Sequence, residues 1–292
     1  MDFKNIQTFI KVAELKSFSL AALELGYSQS AVSTQITNLE KELGHLLFDR
    51  IGHKIALTAN GVIFLQYTQN IQLLTEELKA QLNGCTDEIS GTIRIAMADS
   101  ICTSIFPKIL TGFQKQYSNV KIVIKTGVTS DMFTLLNHNE VDIVCTLDLK
   151  IQRPDIVILK ESPVNANFYI SSNHPLAGKT NTTISDIKQY PIYLTEENIS
   201  YRKYLDHIIA ELDEFIIPTY EIGNVQVIKE LILNSFGIGF IPDFVVAKEL
   251  SEKSILPISN PNFLVTIWKQ LICHRGKALT PAMNALINFI DI

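Results

Sequence analysis

No stretch of this 292-residue sequence approaches the ~20 continuous apolar residues that cross a bilayer. The opening Met1-Asp2-Phe3-Lys4-Asn5 has neither the basic start nor the apolar run of a secretory leader. A cytoplasmic protein is the expectation. Cysteine is scarce: Cys85, Cys102, Cys145 and Cys273 are far apart, form no C-x-x-C pair and have no histidine at metal-ligand spacing. They read as free, mostly buried thiols, and no metal or other cofactor is expected. The six histidines (His45, His53, His138, His174, His207, His274) are scattered, and there is no G-x-S-x-G, P-loop or Rossmann glycine fingerprint. Gly237-x-Gly239 opens a strand instead of following one, so close backbone packing explains it better than phosphate binding. An enzyme is therefore not expected. A surplus of positive charge is missing too, so any contact with nucleic acid must come from local placement of groups.

What the chain does have is length for two or three units and enough apolar residues for sizeable cores. Phe3, Ile6, Ile10 and Ala13 make one face of an opening helix. A short second helix from about Ser19 to Leu25 meets Gly26, where a left-handed cap is wanted. Ser28 is placed to cap a third helix. There Val32, Ile36, Leu39 and Leu43 form a buried stripe. Gln29, Ser30, Ser33, Thr34 and Thr37 fall on an arc of roughly 140° beginning at the stripe's edge. All five are polar and uncharged, whereas a solvated face would carry Lys and Glu, as this helix does only at Glu40-Lys41-Glu42. Compact hydroxyls and an amide let a helix approach base edges, and Gln can pair with adenine in two hydrogen bonds. By spacing alone, a small three-helix bundle fits as well as a helix-turn-helix.

The next segment favours DNA binding. Leu46–Arg50 and Ile55–Thr58 flank a glycine-centred turn and read as a β-hairpin wing, with Arg50 and Lys54 suited to phosphate contacts. Thr58 then starts a long helix on which Phe64, Tyr67, Ile71, Leu74 and Leu78 alternate by three and four, a coiled-coil seam through which the chain would pair with a copy of itself. Asn83-Gly84 is expected to end it.

Beyond residue 88, strand-like and helix-like runs alternate, which points to a parallel-type α/β sheet in two lobes with a ligand cleft between them. One helix is expected over Ile101–Tyr117 and a strand at Phe168–Ser171. Pocket residues are sought where strands meet helices: Ser100, Thr103, Thr129 and Thr146 in the first lobe, Ser200, Tyr201, Arg202 and Asn224 in the second. Ser, Thr and Asn at such places are also ordinary caps. Glu196 and Glu197 read as exposed loop acids, and Asp99 would repel an anion beside Ser100, which leaves the ligand's charge open.

Ala21-Ala22-x-x-Leu25, Ser28-Gln29-Ser30-Ala31-Val32-Ser33, Ile36-x-x-Leu39-Glu40-x-x-Leu43-Gly44, Leu47-Phe48-x-Arg50 and Leu57-Thr58-x-x-Gly61 together resemble the N-terminal signature of LysR-type transcriptional regulators. The likeness is dense over residues 1–65 and thinner beyond, in Gly91-Thr92-Ile93-Arg94-Ile95, His174-Pro175-Leu176-Ala177 and Gly237–Pro242. It implies an N-terminal, all-α winged helix-turn-helix domain (residues 1–58), a dimerising linker helix (59–87) and an α/β effector-binding domain (88–292). That domain would have two doubly wound lobes of periplasmic-binding-protein type, lobe I about 88–161 and 268–292 and lobe II about 162–267. By position, Gln29, Ser30, Ser33 and Thr34 would face the groove and Arg50 the DNA backbone or minor groove. Many relatives carry Arg or Lys where this chain has Thr34, which implies a different base preference and weaker phosphate contact. The expected partners are double-stranded DNA, a small-molecule effector and the chain itself, as a homodimer through the linker helix and a homotetramer. A solute-binding protein or an enzyme on the same two-lobe scaffold are the alternatives.

Overall fold

A computed structural model of the chain describes residues 1–51, 54–82, 89–234 and 237–291. The expected helix end at Asn83-Gly84, and Cys85, lie outside the described residues. The chain divides into two compact units, Met1–Glu88 with Gly276–Thr280, and Ile89–Arg275 with Pro281–Ile292.

The first unit opens with α1 (Phe3–Leu15), capped by Asp2, whose carboxylate accepts from Lys4 N–H at 3.1 Å. Helix α2 (Phe18–Leu25) is capped by Ser17 and stopped by Gly26, whose φ of 69° only glycine adopts without strain. Tyr27 N–H then reaches back to the Ala22 carbonyl at 2.9 Å, closing a Schellman turn. Ser28 caps α3 (Gln29–Leu43), accepting from Ala31 N–H at 3.1 Å. The wing is the antiparallel pair β1 (Phe48–Ile51) and β2 (Lys54–Leu57), and the long helix α4 (Ala59–Leu82) follows. Thr58 is its cap, accepting from Gly61 N–H at 2.9 Å.

Phe9, Val12, Ala21, Val32, Ile36 and Leu39 are completely buried in this unit's core. Phe48 and Phe64 pack against Phe9 with ring centroids 5.1 and 4.9 Å away, and tilted or edge-on aromatic pairs of this kind add about 0.5–1.5 kcal/mol beyond area burial. Glu40 departs from the expectation of a solvated charged end. It is buried, and its Oε1 accepts from the N–H groups of Leu47 at 2.8 Å and Phe48 at 3.3 Å. The carboxylate thus satisfies two backbone donors where the chain enters the wing. Glu40→Ala would orphan both and is expected to destabilise this unit by about 2–3 kcal/mol, with Glu40→Gln milder because its amide oxygen still accepts. Thermal unfolding of the two variants checks this.

The second unit runs β3 (Gly91–Met97), α5 (Asp99–Ser104), α6 (Phe106–Gln116), β4 (Val120–Thr126), α7 (Thr129–Asn137), β5 (Ile143–Asp148) and β6 (Ile156–Ser171). It continues with α8 (Ile184–Ile187), β7 (Ile192–Leu194), α9 (Ser200–Glu211), β8 (Tyr220–Glu221), α10 (Val225–Asn234) and β9 (Ile238–Pro242). The last elements are α11 (Ala247–Ser251), β10 (Ile255–Pro257), β11 (Val265–His274) and α12 (Pro281–Phe289). Among the described residues, the unit's nine strands form one mixed sheet in the order β4-β3-β5-β11-β6-β9-β7-β8, with β10 also on β6. The two lobes hold, but the sheet is not purely parallel. Strands β3, β4 and β5 pair in parallel, as do β7, β8 and β9, while β11 and β6 join the two sets by antiparallel pairing.

The single helix expected over Ile101–Tyr117 is two, because Pro107 lacks an N–H to continue the ladder and falls in the first turn of α6. The strand expected at Phe168–Ser171 is only the end of the 16-residue β6. Lys160, Glu161 and Pro163 hide its earlier part in sequence, yet β9 joins β6 only from Ala166 onward, so the proline sits where that edge has no ladder to break. Gly237 and Gly239 do serve close packing. A Cβ at Gly237 would lie 2.0 Å from the Tyr193 ring, and one at Gly239 would lie 2.6 Å from Ile232.

Candidate functional site

Two surfaces carry chemistry. The first is on α3. Its buried stripe of Val32, Ile36 and Leu39 turns Gln29, Ser30, Thr34 and Thr37 fully outward and leaves Ser33 half-buried between them. Thr8 of α1 donates to Gln35 Oε1 at 2.6 Å and pins the helix from behind. Thr34 and Thr37 each donate their hydroxyl hydrogen back to a carbonyl four residues earlier, Ser30 and Ser33, both at 2.9 Å. They therefore present lone pairs and a methyl group outward, which suits an amino donor or a thymine methyl on a base edge. On the wing, Arg50 is in register with Ile55 and Lys54 with Ile51; both cationic side chains lie outside the described residues.

On α4 the expected seam needs one correction. Phe64 packs edge-on against Phe9 in the first unit's core, and Ile63 is the exposed residue there. Ile63, Tyr67, Ile71 and Leu78 are exposed and fall within about 80° of arc at 100° per residue. Leu74, whose side chain lies outside the described residues, shares that arc by position.

The second surface is a cleft of about 280 Å³ in the α/β unit. It lies where the carboxyl ends of β3, β4, β5 and β7 meet the starts of α5, α7, α9 and α10, the place where ligands enter open α/β sheets. Of the residues sought in sequence, Ser100, Thr129, Ser200 and Tyr201 line it. Thr103, Thr146, Arg202 and Asn224 do not. Thr146 is wholly buried with its hydroxyl toward the Gln270 carbonyl, because alternate strand residues face opposite ways and Leu147 takes the cleft side. Thr103 returns its hydroxyl to the Asp99 carbonyl at 2.9 Å. Arg202 is buried against Asp206 and the Thr195 carbonyl, both at 2.8 Å. Asn224 caps α10 through Gln226 N–H at 2.9 Å.

Sequence reasoning missed Thr195 and undervalued Asp99 and Glu196, all of which line the cleft. Thr195 is 2% exposed, and its hydroxyl lies buried beside the Tyr201 phenol. Asp99 Oδ2 is buried and unpartnered, and burial pushes the Asp99 carboxyl up. Glu196 lies over Gly223, where a Cβ would meet its Oε1 at 3.1 Å. No Lys, Arg or His lines the cleft among the described residues. Beside it, Asp148 of the first lobe accepts from Ser200 Oγ at 2.8 Å and Tyr204 OH at 3.3 Å, and Gln226 donates to Ser104 Oγ at 2.9 Å. These hydrogen bonds tie the two lobes at two points. Burial and the Asp148 charge push the Tyr204 phenol up to about 12.

Asp99→Asn removes a charge that the fold disfavours. A carboxyl with a raised folded-state pKa destabilises once ionised, so the parent should lose stability relative to the variant as pH rises through that pKa. Unfolding midpoints should favour Asp99→Asn near neutrality and converge below the ordinary value of 3.8, where the parent carboxyl is protonated folded and unfolded.

Cys102 and Cys145 are free thiols, and burial pushes Cys145 up to about 12. Among the described residues, no His, Cys, Asp and Glu group is placed to hold a metal, and no helix is long and apolar enough to cross a membrane.

Residues 3–62 match the model of the bacterial regulatory helix-turn-helix protein, lysR family, and residues 86–291 that of the LysR substrate binding domain. The chain belongs to the LysR family of transcriptional regulators. It shares 30% identity over 292 residues with the uncharacterized HTH-type transcriptional regulator YwqM of Bacillus subtilis, covering 99% of this chain and 98% of that one. Among solved structures, full-length LysG from Corynebacterium glutamicum with bound effector Arg superposes with a TM-score of 0.75 at 18% identity, over 99% and 96% of the two chains. DarR of Vibrio fischeri in complex with DNA gives 0.55 at 20% identity, over 99% and 97%. As a LysR-type regulator the chain is a DNA-binding transcriptional regulator with an effector-binding domain, which is not an enzyme class.

Proposed function

We propose that α3 reads base edges in the major groove through Gln29, Ser30, Ser33, Thr34 and Thr37, while Arg50 and Lys54 on the wing contact phosphates. Residues 1–58 form the DNA-binding head and residues 88–292 the effector domain. Residues 59–87 pair two chains through Tyr67, Ile71, Leu74 and Leu78, with Ile63 in place of Phe64, and two such dimers make the working tetramer. The protein acts in the cytoplasm. An effector in the cleft favours one relative placement of the lobes, and that population shift changes how paired heads span two half-sites. The observation that carries this reading is the uncharged outward face of α3 set over a fully buried stripe.

The test is binding of the full-length protein to DNA from upstream of its own gene against random DNA at moderate salt. A clear preference is expected; equal affinity would remove the reading. Arg50→Ala should weaken binding to both DNAs and reduce the salt slope by about one phosphate's worth.

A further inference from the structure

The outward side of α3 offers a biased set of groups to a base edge. Gln29, Ser30, Thr34, Thr37 and Asn38 are exposed, Ser33 is half-buried, and Lys41, the cation on that side, comes only in the last turn. Guanine is read most often by an Arg or Lys donating to its N7 and O6. A recognition helix meets the bases with its N-terminal residues, and there α3 has no such group. The threonine hydroxyls do not replace it. Thr34 Oγ1 donates to the Ser30 carbonyl and Thr37 Oγ1 to the Ser33 carbonyl, each at 2.9 Å. A hydroxyl has one hydrogen, so neither can donate to a guanine acceptor without giving up its backbone bond. The staggered rotamer then fixes the rest of the side chain. With Oγ1 drawn back against the preceding turn, the Cγ2 methyl is left on the outer side. Thr34 and Thr37 are three residues apart, which sets their Cβ atoms about 5–6 Å from each other on one face. Both residues are exposed, so each methyl still has apolar surface to bury. In the major groove the apolar feature of a base edge is the C5-methyl of thymine.

Building on the reading of α3 as the helix that enters the major groove, we propose that Thr34 and Thr37 recognise two thymines of each half-site by packing their methyl groups on the C5-methyls. Cytosine is disfavoured because it lacks the methyl. Guanine is disfavoured because its N7 and O6 would face threonine lone pairs with no hydrogen between them. An amino group of adenine or cytosine facing the same oxygens is the rival partner. That contact would depend on the hydroxyl and not on the methyl, so the two can be separated atom by atom.

The experiment starts by selecting binding sites for the full-length protein from random duplex DNA. Affinity for the selected duplex is then measured at fixed salt with each thymine in turn replaced by uracil, which removes only the methyl. At two positions per half-site uracil is expected to weaken binding about fourfold, the weight of one buried methyl group. A C·G pair there should cost about tenfold or more, and 5-methylcytosine in that pair should recover part of the loss. Thr34→Ser and Thr37→Ser keep the hydroxyl and delete the methyl. Each should bind the thymine and uracil duplexes equally at its own position. Thr34→Val keeps the methyl, deletes the hydroxyl and should retain the fourfold preference. Unfolding midpoints of the three variants report that the head is folded. Uracil tolerated at every position, or a preference lost in Thr34→Val and kept in Thr34→Ser, would overturn methyl recognition and leave α3 as the reading helix. A thymine preference that survives both serine variants would assign the methyl contacts to other residues and overturn the proposal. Selection that returns no common sequence would overturn base reading by α3 and the proposal with it.

Discussion

Gly61→Ala is expected to destabilise the DNA-binding head by about 3 kcal/mol or more, the upper end of what overpacking does, and to abolish specific DNA binding. A Cβ at position 61 would stand 2.0 Å from the Leu47 carbonyl oxygen, 3.0 Å from its carbon and 3.1 Å from Leu57 Cδ2. No rotamer change relieves a clash with backbone. Nor can the carbonyl swing aside, because it accepts from Thr58 N–H at 3.0 Å while the Leu47 N–H is held by Glu40 at 2.8 Å. Thr58 completes the lock by donating its hydroxyl to the Leu46 carbonyl at 2.7 Å and accepting from Gly61 N–H. Wing entry, cap and first turn of α4 therefore share one set of bonds, and moving α4 by the required ångström breaks several together. Unfolding followed by calorimetry should show the head's transition lowered and the effector unit's unchanged, since the two units have separate cores. A variant that unfolds like the parent would mean the junction is not packed this way.

The same junction shows what the sequence could disclose. Thr58 as a cap and Gly26 as a stop were legible because both act within four or five residues, the range over which local hydrogen bonding selects residue type. Thr58-x-x-Gly61 was visible as a family motif, but the glycine's reason is a carbonyl fourteen positions earlier. Glu40 misled for the same cause: on a helical wheel it belongs with Lys41 and Glu42, and only the returning wing entrance buries it. Periodicity reports which face is apolar, not what arrives to cover the polar one. In the α/β unit it found most strands, yet it could not tell Thr146 from Leu147 as the cleft residue, since both are compatible with a buried strand. Asp99 and Glu196 read as a deterrent and a loop acid because their meaning depends on the other lobe's strands and helices. Phe64 failed more narrowly: at 100° per residue it sits at the edge of the exposed arc, close enough for a three-four pattern to include it.

Ser33→Trp should reduce binding at a specific site to the level of random DNA, a loss of about a thousandfold or more if its preference is typical of specific binders. Ser33 lies between Gln29 and Thr37 on the outward side of α3, one turn from each, and is half-buried among them. The major groove is about 12 Å wide and admits a helix only when the side chains at its floor are short. An indole there would lift the helix and separate Gln29 and Thr34 from the base edges together. The helix itself should persist: its buried stripe is on the other side, and the bond Thr37 makes at this position goes to the Ser33 backbone carbonyl, which the substitution keeps. Thr34→Glu provides a control that does not depend on bulk, since Thr34 is exposed and a carboxylate there repels DNA by charge alone. Both variants should unfold at the parent's midpoint, and Ser33→Trp should keep the salt dependence of non-specific binding, because phosphate contacts by the wing are untouched. A DNase footprint on the specific site unchanged by Ser33→Trp would mean that another face of the head meets the bases. Loss of the footprint with a normal unfolding midpoint would assign base recognition to this row of short, uncharged side chains.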